Sequence, residues 1–383
     1  MQNRILFCTT IDRTLKSFLL PFAQDLFKQG WQVEAAAAGF ANDSSLRDAS
    51  FILLHSVPWN RNPWKLINFY QAVRRIRSIV VERKPNIVHV HTPVASFITR
   101  FALRNMRRRG FVKVVYTAHG FHFHPKGNFL SNIFFMALEK IAGRWTDRLV
   151  VINKEDAEAG LRYRIVPEKN LIHMPGIGVD INFYNREKNT ENCKQQIRET
   201  LNINCRHKII LLAAEFIPRK QHKIALEGLS RMHRRDAILL FAGNGPLKAK
   251  IESLALSLGV SDRVRFMGFS SDIPQLMACS DIVLLASKRE GLPRVLLEAM
   301  AMERPIVASN IRGCLELLED ECGYLFPEGN AQALANTLEE ALDNPEEAAR
   351  RAHQAHIKLK EKYSLGEVLA KHRRLYDELL GNL

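Results

Sequence analysis

Two glutamates with a fixed spacing are the first candidates for chemistry in this chain. Glu290 and Glu298 lie eight residues apart in the segment SKREGLPRVLLEAMAM, directly after the strand-like apolar run Ile282–Ala286. Gly291 permits a tight turn and Pro293 suits a first helical turn, so a helix is expected to begin here, its amides and positive dipole end facing the strand end. Such a helix start binds anions, and a carboxylate inside the helix can accept both hydrogen bonds of a ribose diol. The alternative is structural, with one glutamate capping the helix and the other forming a surface ion pair.

A cationic pair, Arg219 and Lys220, is the second candidate group. It follows the apolar run Lys208–Ala213, and Lys220 is predicted to open the next helix. A lysine ammonium at that position is a point charge that can neutralise a phosphate. The alternative is an exposed lysine at a helix start.

Histidines at two predicted strand ends form the third candidate group. His119 follows the run Val112–Thr117 and precedes Gly120, and His91 ends the run Ile87–His91. Imidazole changes charge near neutral pH, which suits a catalytic site. A loop histidine satisfied by the protein itself is an open alternative for His119.

Short apolar runs alternate with longer amphipathic segments, and this alternation forms two series. The strands predicted for the first series are Arg4–Thr9, Gln32–Ala38, Phe51–Leu54, Ile87–His91, Val112–Thr117 and Arg148–Ile152. Those predicted for the second are Lys208–Ala213, Ala237–Ala242, Val264–Met267, Ile282–Ala286, Pro305–Ala308 and Gly323–Phe326. The pattern predicts the α/β class, with two doubly wound parallel sheets covered by helices on both faces.

The domain boundaries follow from these series. We expect an N-terminal Rossmann-like domain over 1–175 and a linker over 176–204, which contains the polar stretch NREKNTENCKQQ. A C-terminal Rossmann-like domain is expected over 205–362, and a final helix over 363–383 packs back on the first domain. Ligands bind at the carboxyl ends of parallel strands, so the expected site is a cleft between the domains.

Several motifs together resemble one enzyme family. Residues 290–298, EGLPRVLLE, resemble the paired-glutamate motif of the retaining glycosyltransferases of family 4, which have the GT-B fold. FAGNGPL at 241–247 and FMGF at 266–269 resemble that family's glycine turn and next strand end. YTAHGFH at 116–122 and VVINKED at 150–156 resemble a branch that builds bacterial exopolysaccharide, capsule or lipid-linked oligosaccharide. The resemblance covers nearly the whole chain.

The resemblance implies an activity and a set of residue roles. It implies a GT-B enzyme of two Rossmann-like domains that transfers a sugar, with retention, from a nucleotide-diphosphate sugar (a UDP-sugar by analogy) to a polysaccharide or lipid-linked saccharide acceptor. His119 and Glu290 are the implied catalytic residues. The implied donor-binding residues are Arg219, Lys220, Gly243, Asn244, Gly245, Gly291, Leu292, Pro293 and Glu298, with Glu298 on the ribose and Lys220 on the diphosphate.

One position departs from the family pattern. Many members carry an arginine five residues before the phosphate lysine, whereas this chain has Glu215 there. A glutamate carboxylate accepts hydrogen bonds and cannot bind a diphosphate directly. We therefore form the hypothesis that Arg219 supplies the missing charge.

Other ligand classes fit the sequence poorly. Gly243-Asn-Gly245 resembles the start of a dinucleotide fingerprint, but Lys248 occupies the third glycine position. No spacing typical of metal ligands is found, so we expect neither a metal nor a cofactor. A nucleotide-sugar epimerase of the same fold stays an alternative. It would change the donor without an acceptor, whereas a transferase requires one.

The basic charge is unevenly distributed. The chain carries a net charge of +15, and residues 1–190 hold 28 lysines and arginines against 14 acids, a net charge of +14. This bias suggests an anionic membrane face, a phosphate-bearing acceptor or nucleic acid as partner, or simply a solvated basic surface. Nucleic acid is disfavoured because the run Arg100–Arg109 contains only Phe101 as an aromatic residue. The segment Trp64–Arg83 places Trp64, Ile67, Tyr70 and Val80 among basic residues, which suits a membrane surface or a core-facing helix.

Composition suggests the compartment. With 46% hydrophobic and 25% charged residues, the chain has ordinary globular composition, and no apolar run reaches the ~18–20 residues of a spanning helix. Its first residues lack a signal-peptide pattern, so we expect a cytoplasmic protein, peripheral at the inner membrane face in the case of membrane binding. The six cysteines are scattered, which favours reduced thiols.

Overall fold

The chain forms two compact units. A computed structural model describes residues 2–40, 50–59, 66–123, 127–186, 191–270 and 272–381. Unit 1 comprises Met1–Ile177 and Val368–Leu383, and unit 2 comprises Gly178–Glu367. Among the described residues, no helix is both long enough and apolar enough to cross a membrane.

Unit 1 is built on a parallel sheet of seven strands in the order β3-β2-β1-β4-β5-β6-β7. Its strands are β1 Arg4–Ile11, β2 Gln32–Ala38, β3 Ile52–Ser56, β4 Ile87–His91, β5 Lys113–Ala118, β6 Arg148–Val151 and β7 Leu171–His173. Its helices are α1 Asp12–Thr14, α2 Leu20–Lys28, α3 Leu66–Arg83, α4 Pro93–Arg108, α5 Phe129–Gly143 and α6 Lys154–Arg162, with π-helical Leu15–Leu19 before α2.

Unit 2 is built on a parallel sheet of six strands in the order β10-β9-β8-β11-β12-β13. Its strands are β8 Lys208–Ala213, β9 Ala237–Ala242, β10 Val264–Gly268, β11 Ile282–Leu285, β12 Ile306–Ser309 and β13 Tyr324–Phe326. Its helices are α7 Glu191–Thr200, α8 His222–Arg231, α9 Lys248–Ser257, α10 Ile273–Cys279, α11 Arg294–Ala301, α12 Arg312–Leu318, α13 Ala331–Asp343 and α14 Pro345–Lys358. The two doubly wound α/β sheets predicted from the sequence are confirmed.

Each sheet is buried on both faces, which explains its continuous apolar strands. In β1, Ile5 belongs to one core cluster of unit 1 and its neighbour Leu6 belongs to the other. In β8, Ile209 and Ile210 divide in the same way between the two core clusters of unit 2. Successive side chains of a strand point to opposite faces, so a sheet between two helix layers needs apolar residues at every position.

The last helix, α15 Leu365–Leu380, contributes to the unit 1 core. Val368, Leu375 and Tyr376 lie in the same buried cluster as β1. Arg373 Nη1 donates to the carboxylate of Asp25 in α2 at 2.7 Å. The C-terminal segment after Glu367 is therefore part of unit 1, although the chain passes through unit 2 before reaching it.

The sequence prediction missed four elements, which are α1, β7, α6 and α7. The last of them lies inside the stretch 176–204 that was predicted to be a linker. β7 has three residues, too few for a clear period, and α7 is strongly polar. Four of the cysteines, Cys8, Cys279, Cys314 and Cys322, are free and buried, whereas Cys205 is free and exposed.

Candidate active site

Two cations and one carboxylate meet in unit 2. Lys220 Nζ donates to Glu290 Oε1 at 2.6 Å, and Arg219 Nη1 donates to Glu290 Oε2 at 3.1 Å. Arg219 also donates to the backbone oxygen of Arg289 at 3.1 Å. Glu290 and Lys220 are largely buried, and Arg219 is half exposed. Both positive charges are thus held next to each other by a carboxylate that they share.

The loops after β8 and β11 position this group. Lys220 lies in a single 3₁₀ turn, Pro218–Lys220, and Gln221 then adopts a left-handed conformation with φ +49° before α8 begins at His222. The prediction that Lys220 opens the helix is therefore wrong, because the left-handed residue separates its turn from α8. The backbone amide of Lys288 donates to the oxygen of Arg219 at 2.8 Å, which joins the two loops.

Glu298 is buried inside α11 with two polar neighbours. Arg294 Nε lies 2.9 Å from Glu298 Oε1, one helical turn away, and the Tyr184 hydroxyl hydrogen-bonds to the same carboxylate. Burial raises the pKa of Glu298, and Arg294 and Tyr184 oppose that shift. Burial beside the carboxylate also raises the pKa of Tyr184, so this phenol stays protonated and donates. The sequence analysis offered a surface ion pair as the alternative role of Glu298. The ion pair exists, but the Glu298 carboxylate is buried, so this alternative is only partly correct.

The glycine turn after β9 supports the loop that carries the cations. A Cβ on Gly243 would lie 2.0 Å from the oxygen of Ala214, and one on Gly245 would lie 2.7 Å from the backbone of Phe216. Both glycines have positive φ, and the Asn244 oxygen accepts a hydrogen bond from the Phe216 amide at 2.9 Å. Only glycine permits this close approach of two backbones. The predicted donor-binding residues 243–245 are thus in contact with the loop after β8.

Helix α12 packs against the turn that precedes α11. Pro293 occupies the N-cap position of α11. A Cβ on Gly313 would lie 2.4 Å from the oxygen of Gly291, and Arg312 Nε donates to the oxygen of Glu290 at 3.3 Å. The turn of Gly291, Leu292 and Pro293 is therefore fixed between two helices, with the leading amides of α11 directly behind it.

The candidate histidines of unit 1 belong to a buried network. His91 Nδ1 lies 3.2 Å from His119 Nε2, and His89 hydrogen-bonds to Tyr376 of α15 and to Thr117, each at 2.7 Å. Burial lowers the pKa of His119 to about 4 and that of His91 well below its usual range. Both imidazoles are neutral at pH 7, so they are able to donate or accept one hydrogen bond at each nitrogen but carry no charge.

Sequence reasoning missed several residues around these groups. Tyr184, Gly313 and Tyr376 come from segments that carried no motif. Arg294 had a detectable signal, because its spacing of four residues from Glu298 allows an ion pair on one helix face.

Arg219, predicted as a substitute for the usual arginine, lies beside Lys220, and the side chain of Glu215 is exposed. In the described ranges, no group of three or more histidines, cysteines and carboxylates is arranged to hold a metal ion.

Comparisons with known sequences identify the family. A family model described as "Glycosyltransferase Family 4" matches residues 17–181, and one described as "Glycosyl transferases group 1" matches residues 194–358. EpsD of Bacillus subtilis (strain 168), which carries a glycosyltransferase name, is 34% identical over 351 residues, covering 90% of this chain and 89% of that protein. The Escherichia coli UDP-Gal:alpha-D-GlcNAc-diphosphoundecaprenol alpha-1,3-galactosyltransferase is 25% identical, covering 73% of this chain and 72% of that enzyme.

Solved structures share the fold over the whole chain. A glycosyltransferase from Rickettsia africae superposes with a TM-score of 0.84 at 22% identity, covering 100% of both chains. Anabaena Alr3699/HepE in complex with UDP and glucose superposes with a TM-score of 0.81 at 19% identity, covering 98% of this chain and 100% of that one. The two parallel-sheet units and these matches show that the chain belongs to the glycosyltransferases of the GT-B fold.

Proposed function

We propose that this glycosyltransferase moves a sugar, with retention of anomeric configuration, from a UDP-sugar to a lipid-linked or polysaccharide acceptor. One observation supports the proposed binding of a UDP-sugar donor: Lys220 and Arg219 both contact Glu290, immediately before the start of α11. Two positive charges beside leading helix amides are suited to a diphosphate. The likeness to a chain solved with UDP supports a uridine nucleotide, and the name of the E. coli relative supports a diphosphate-lipid acceptor.

Donor binding is expected to rearrange the charges at this site. The diphosphate takes Lys220 and Arg219 as partners in place of the Glu290 carboxylate, and the leading amides of α11 donate to its oxygens. Glu290 then becomes available to accept hydrogen bonds from the hydroxyls of the donor sugar. Glu298, oriented by Arg294 and Tyr184, accepts the hydrogen bonds of the ribose diol.

The proposed reaction is a front-side displacement. The bond between the anomeric carbon and the diphosphate oxygen breaks, and its electron pair leaves with UDP. The acceptor oxygen bonds to the anomeric carbon on the same face, and its proton passes to the departing phosphate. The transition state resembles an oxocarbenium ion, so the catalytic device is positive charge preorganised at the leaving group. His119, neutral because burial lowers its pKa, is assigned to a hydrogen bond with the donor sugar.

The acceptor side is assigned to unit 1, with attachment to the cytoplasmic face of an anionic membrane. The net charge of +14 over residues 1–190 supports this assignment, because a membrane or a diphosphate-linked acceptor is anionic. Nucleic acid is not proposed as a partner, and no metal or cofactor is proposed for the reaction.

A donor screen tests the proposed function. Purified protein is heated with UDP-glucose, UDP-galactose, UDP-N-acetylglucosamine or GDP-mannose, and the UDP-sugars are expected to raise its Tm. Lys220→Ala should abolish that shift, whereas Lys169→Ala, on an exposed side chain of unit 1, should keep it. Stabilisation by GDP-mannose alone would overturn the choice of uridine.

Product analysis tests retention and reaction type. With the preferred donor and a diphosphate-lipid saccharide, the anomeric configuration of the new linkage is read by NMR and should equal that of the donor. Inversion would overturn the proposed mechanism. A change in the donor sugar without any acceptor would instead identify an epimerase.

A further inference from the structure

Two histidines of strand β4 share one face of the unit 1 sheet. His89 and His91 are separated by one residue, so their side chains point to the same side, and both are buried. Their rings pack with centroids 4.2 Å apart. His91 pairs in register with Thr117 of β5, and His119 follows Thr117 by two residues. The end of β4 therefore brings the imidazole of His91 next to that of His119.

The contact between the two imidazoles uses only one nitrogen of His91. His91 Nδ1 lies 3.2 Å from His119 Nε2, and the rings are stacked with centroids 5.4 Å apart. Within the parts of the chain that the structure describes, the buried His91 Nε2 has no hydrogen-bond partner. Burial lowers the pKa of both histidines, to about 4 for His119, so each ring is neutral at pH 7 and carries a single N–H.

The position of the proton on His91 decides the direction of this hydrogen bond. A proton on His91 Nε2 would be a buried N–H with no acceptor among the described residues. Such groups are rarer in proteins than buried acceptors without a donor. A proton on His91 Nδ1 leaves only a lone pair without a partner and is donated to His119 Nε2. His119 Nε2 is then an acceptor, so the single proton of His119 lies on Nδ1.

The backbone beside His91 is held in an unusual conformation. Thr92 has φ +62° and ψ 139°, which a β-branched residue rarely adopts. Thr10, near the end of β1, donates its backbone amide to Thr92 Oγ1 at 3.0 Å. His89, against which His91 packs, is hydrogen-bonded at both ring nitrogens. Backbone strain persists where the surrounding structure over-determines it, and it is concentrated at functional sites.

We propose that His91 is a positioning residue for sugar transfer, which donates from Nδ1 to His119 Nε2 and so holds His119 in the tautomer that donates from Nδ1. This inference rests on the role proposed above for His119 at the donor sugar and specifies that role. Because its Nε2 is occupied, His119 presents only an N–H to the substrate, and the sugar oxygen that it contacts is an acceptor. No lone pair of His119 is left to take the proton of the incoming hydroxyl, which agrees with the transfer of that proton to the departing phosphate.

NMR of the full chain labelled with ¹⁵N-histidine tests the tautomer directly. A protonated ring nitrogen and one with a lone pair have different chemical shifts, and the His119 signals are identified by their loss in His119→Asn. At neutral pH we expect His119 Nδ1 to be protonated and His119 Nε2 to carry a lone pair. A proton on His119 Nε2, or on both nitrogens, would overturn the proposal, and this test needs no change at His91.

Two substitutions of His91 connect the tautomer to the reaction. His91→Leu removes the donor, so we expect His119 to lose its single tautomer and kcat to fall by roughly tenfold, as for one unsatisfied hydrogen-bonding group. The Kd for UDP should stay unchanged, because UDP lacks the sugar. His91→Asn keeps an N–H near the position of Nδ1 and should restore the tautomer and most of kcat. An equal loss of kcat in both variants, or no loss in His91→Leu, would overturn the positioning role.

The matched control is His372→Leu in α15, which removes another imidazole from the same buried cluster. His372 packs against His89 and donates from Nδ1 to the backbone oxygen of Val368 at 2.9 Å, within its own helix. This variant should keep the wild-type signals of His119. A changed tautomer there would assign the effect to packing in the cluster and overturn the proposal. The spectrum requires neither donor nor acceptor, so a wild type that transfers no sugar would refute the proposed function, while NMR would still decide the tautomer.

Discussion

Lys220 and Glu290 form a charged hydrogen bond of 2.6 Å between the loops that follow β8 and β11, and Arg219 shares the same carboxylate. A glutamate that neutralises two cations also competes with any anion that needs them. These two contacts therefore represent the site without a bound donor, in which Glu290 holds Lys220 and Arg219 in position.

Replacing Glu290 should separate binding from transfer. Glu290→Gln removes the competing charge, so we expect UDP affinity to stay equal or increase, while kcat falls by about 10²-fold or more because the sugar loses its positioning carboxylate. Calorimetry with UDP and steady-state kinetics give the two quantities. Lys220→Ala is the comparison variant and should lose UDP affinity. Transfer by Glu290→Gln at near wild-type rate would remove Glu290 from the catalytic residues.

Arg219 should matter for donor affinity in this chain. Arg219→Ala removes one of the two cations expected at the diphosphate, and we expect the Kd for UDP to rise by roughly tenfold, as for the loss of a charge-assisted hydrogen bond. Arg231→Ala, at the exposed end of α8, serves as the matched control and should bind UDP normally. An unchanged Kd for UDP in Arg219→Ala would mean that Arg219 does not replace the arginine that this chain lacks at the position of Glu215.

Tyr184 should act through Glu298. The Tyr184 hydroxyl lowers the pKa of a carboxyl that burial raises, so Tyr184→Phe should raise that pKa further and leave more of Glu298 protonated in acid. We expect the donor KM to increase, more at acidic than at alkaline pH, with little change in kcat. Kinetics across pH check this, with Phe183→Leu on the exposed neighbouring side chain as control. A KM that rises equally at every pH would indicate packing alone.

Acid should destabilise unit 1 through its histidines. Burial lowers the pKa of His372 to about 4, from an unfolded value near 6.5, so the unfolded chain binds more protons between these values. The contribution is fully present above pH 6.5 and declines as the pH falls toward 4, by roughly 2 kcal/mol between about pH 7 and about pH 5. His372→Phe should weaken the fall of Tm with acid, whereas His353→Phe, on an exposed residue, should not. An identical pH profile for both variants would contradict the prediction.

Removal of metal should leave transfer intact. The proposed leaving-group stabilisation comes from Lys220, Arg219 and the leading amides of α11, all of which belong to the chain. We therefore expect the same initial rate with excess EDTA as with added Mg²⁺ or Mn²⁺. A rate that disappears with EDTA and returns with Mg²⁺ would show that a metal supplies part of the charge.

The strands could be predicted because a strand that is buried on both faces of its sheet is a continuous run of apolar residues. Four of them, β2, β4, β8 and β9, have the predicted bounds. Elements with little apolar content, such as the polar helix α7, leave no such pattern and were missed. The turn at Lys220 was misplaced for a related reason, since the left-handed Gln221 that separates it from α8 is not a residue type that predicts positive φ.

By itself, the sequence determined the two α/β series, the family, and the positions of Glu290, Glu298 and the cationic pair, because each depends on residues close together in the chain. Only the tertiary structure decided which side chains meet across long separations. It placed Tyr184 on Glu298, Tyr376 on His89, and both cations on one carboxylate. It also left large apolar side chains of α5, among them Phe129, Leu130 and Phe134, exposed to solvent. Periodicity cannot reveal this, because a helical pattern shows that an apolar face exists and not which way it points.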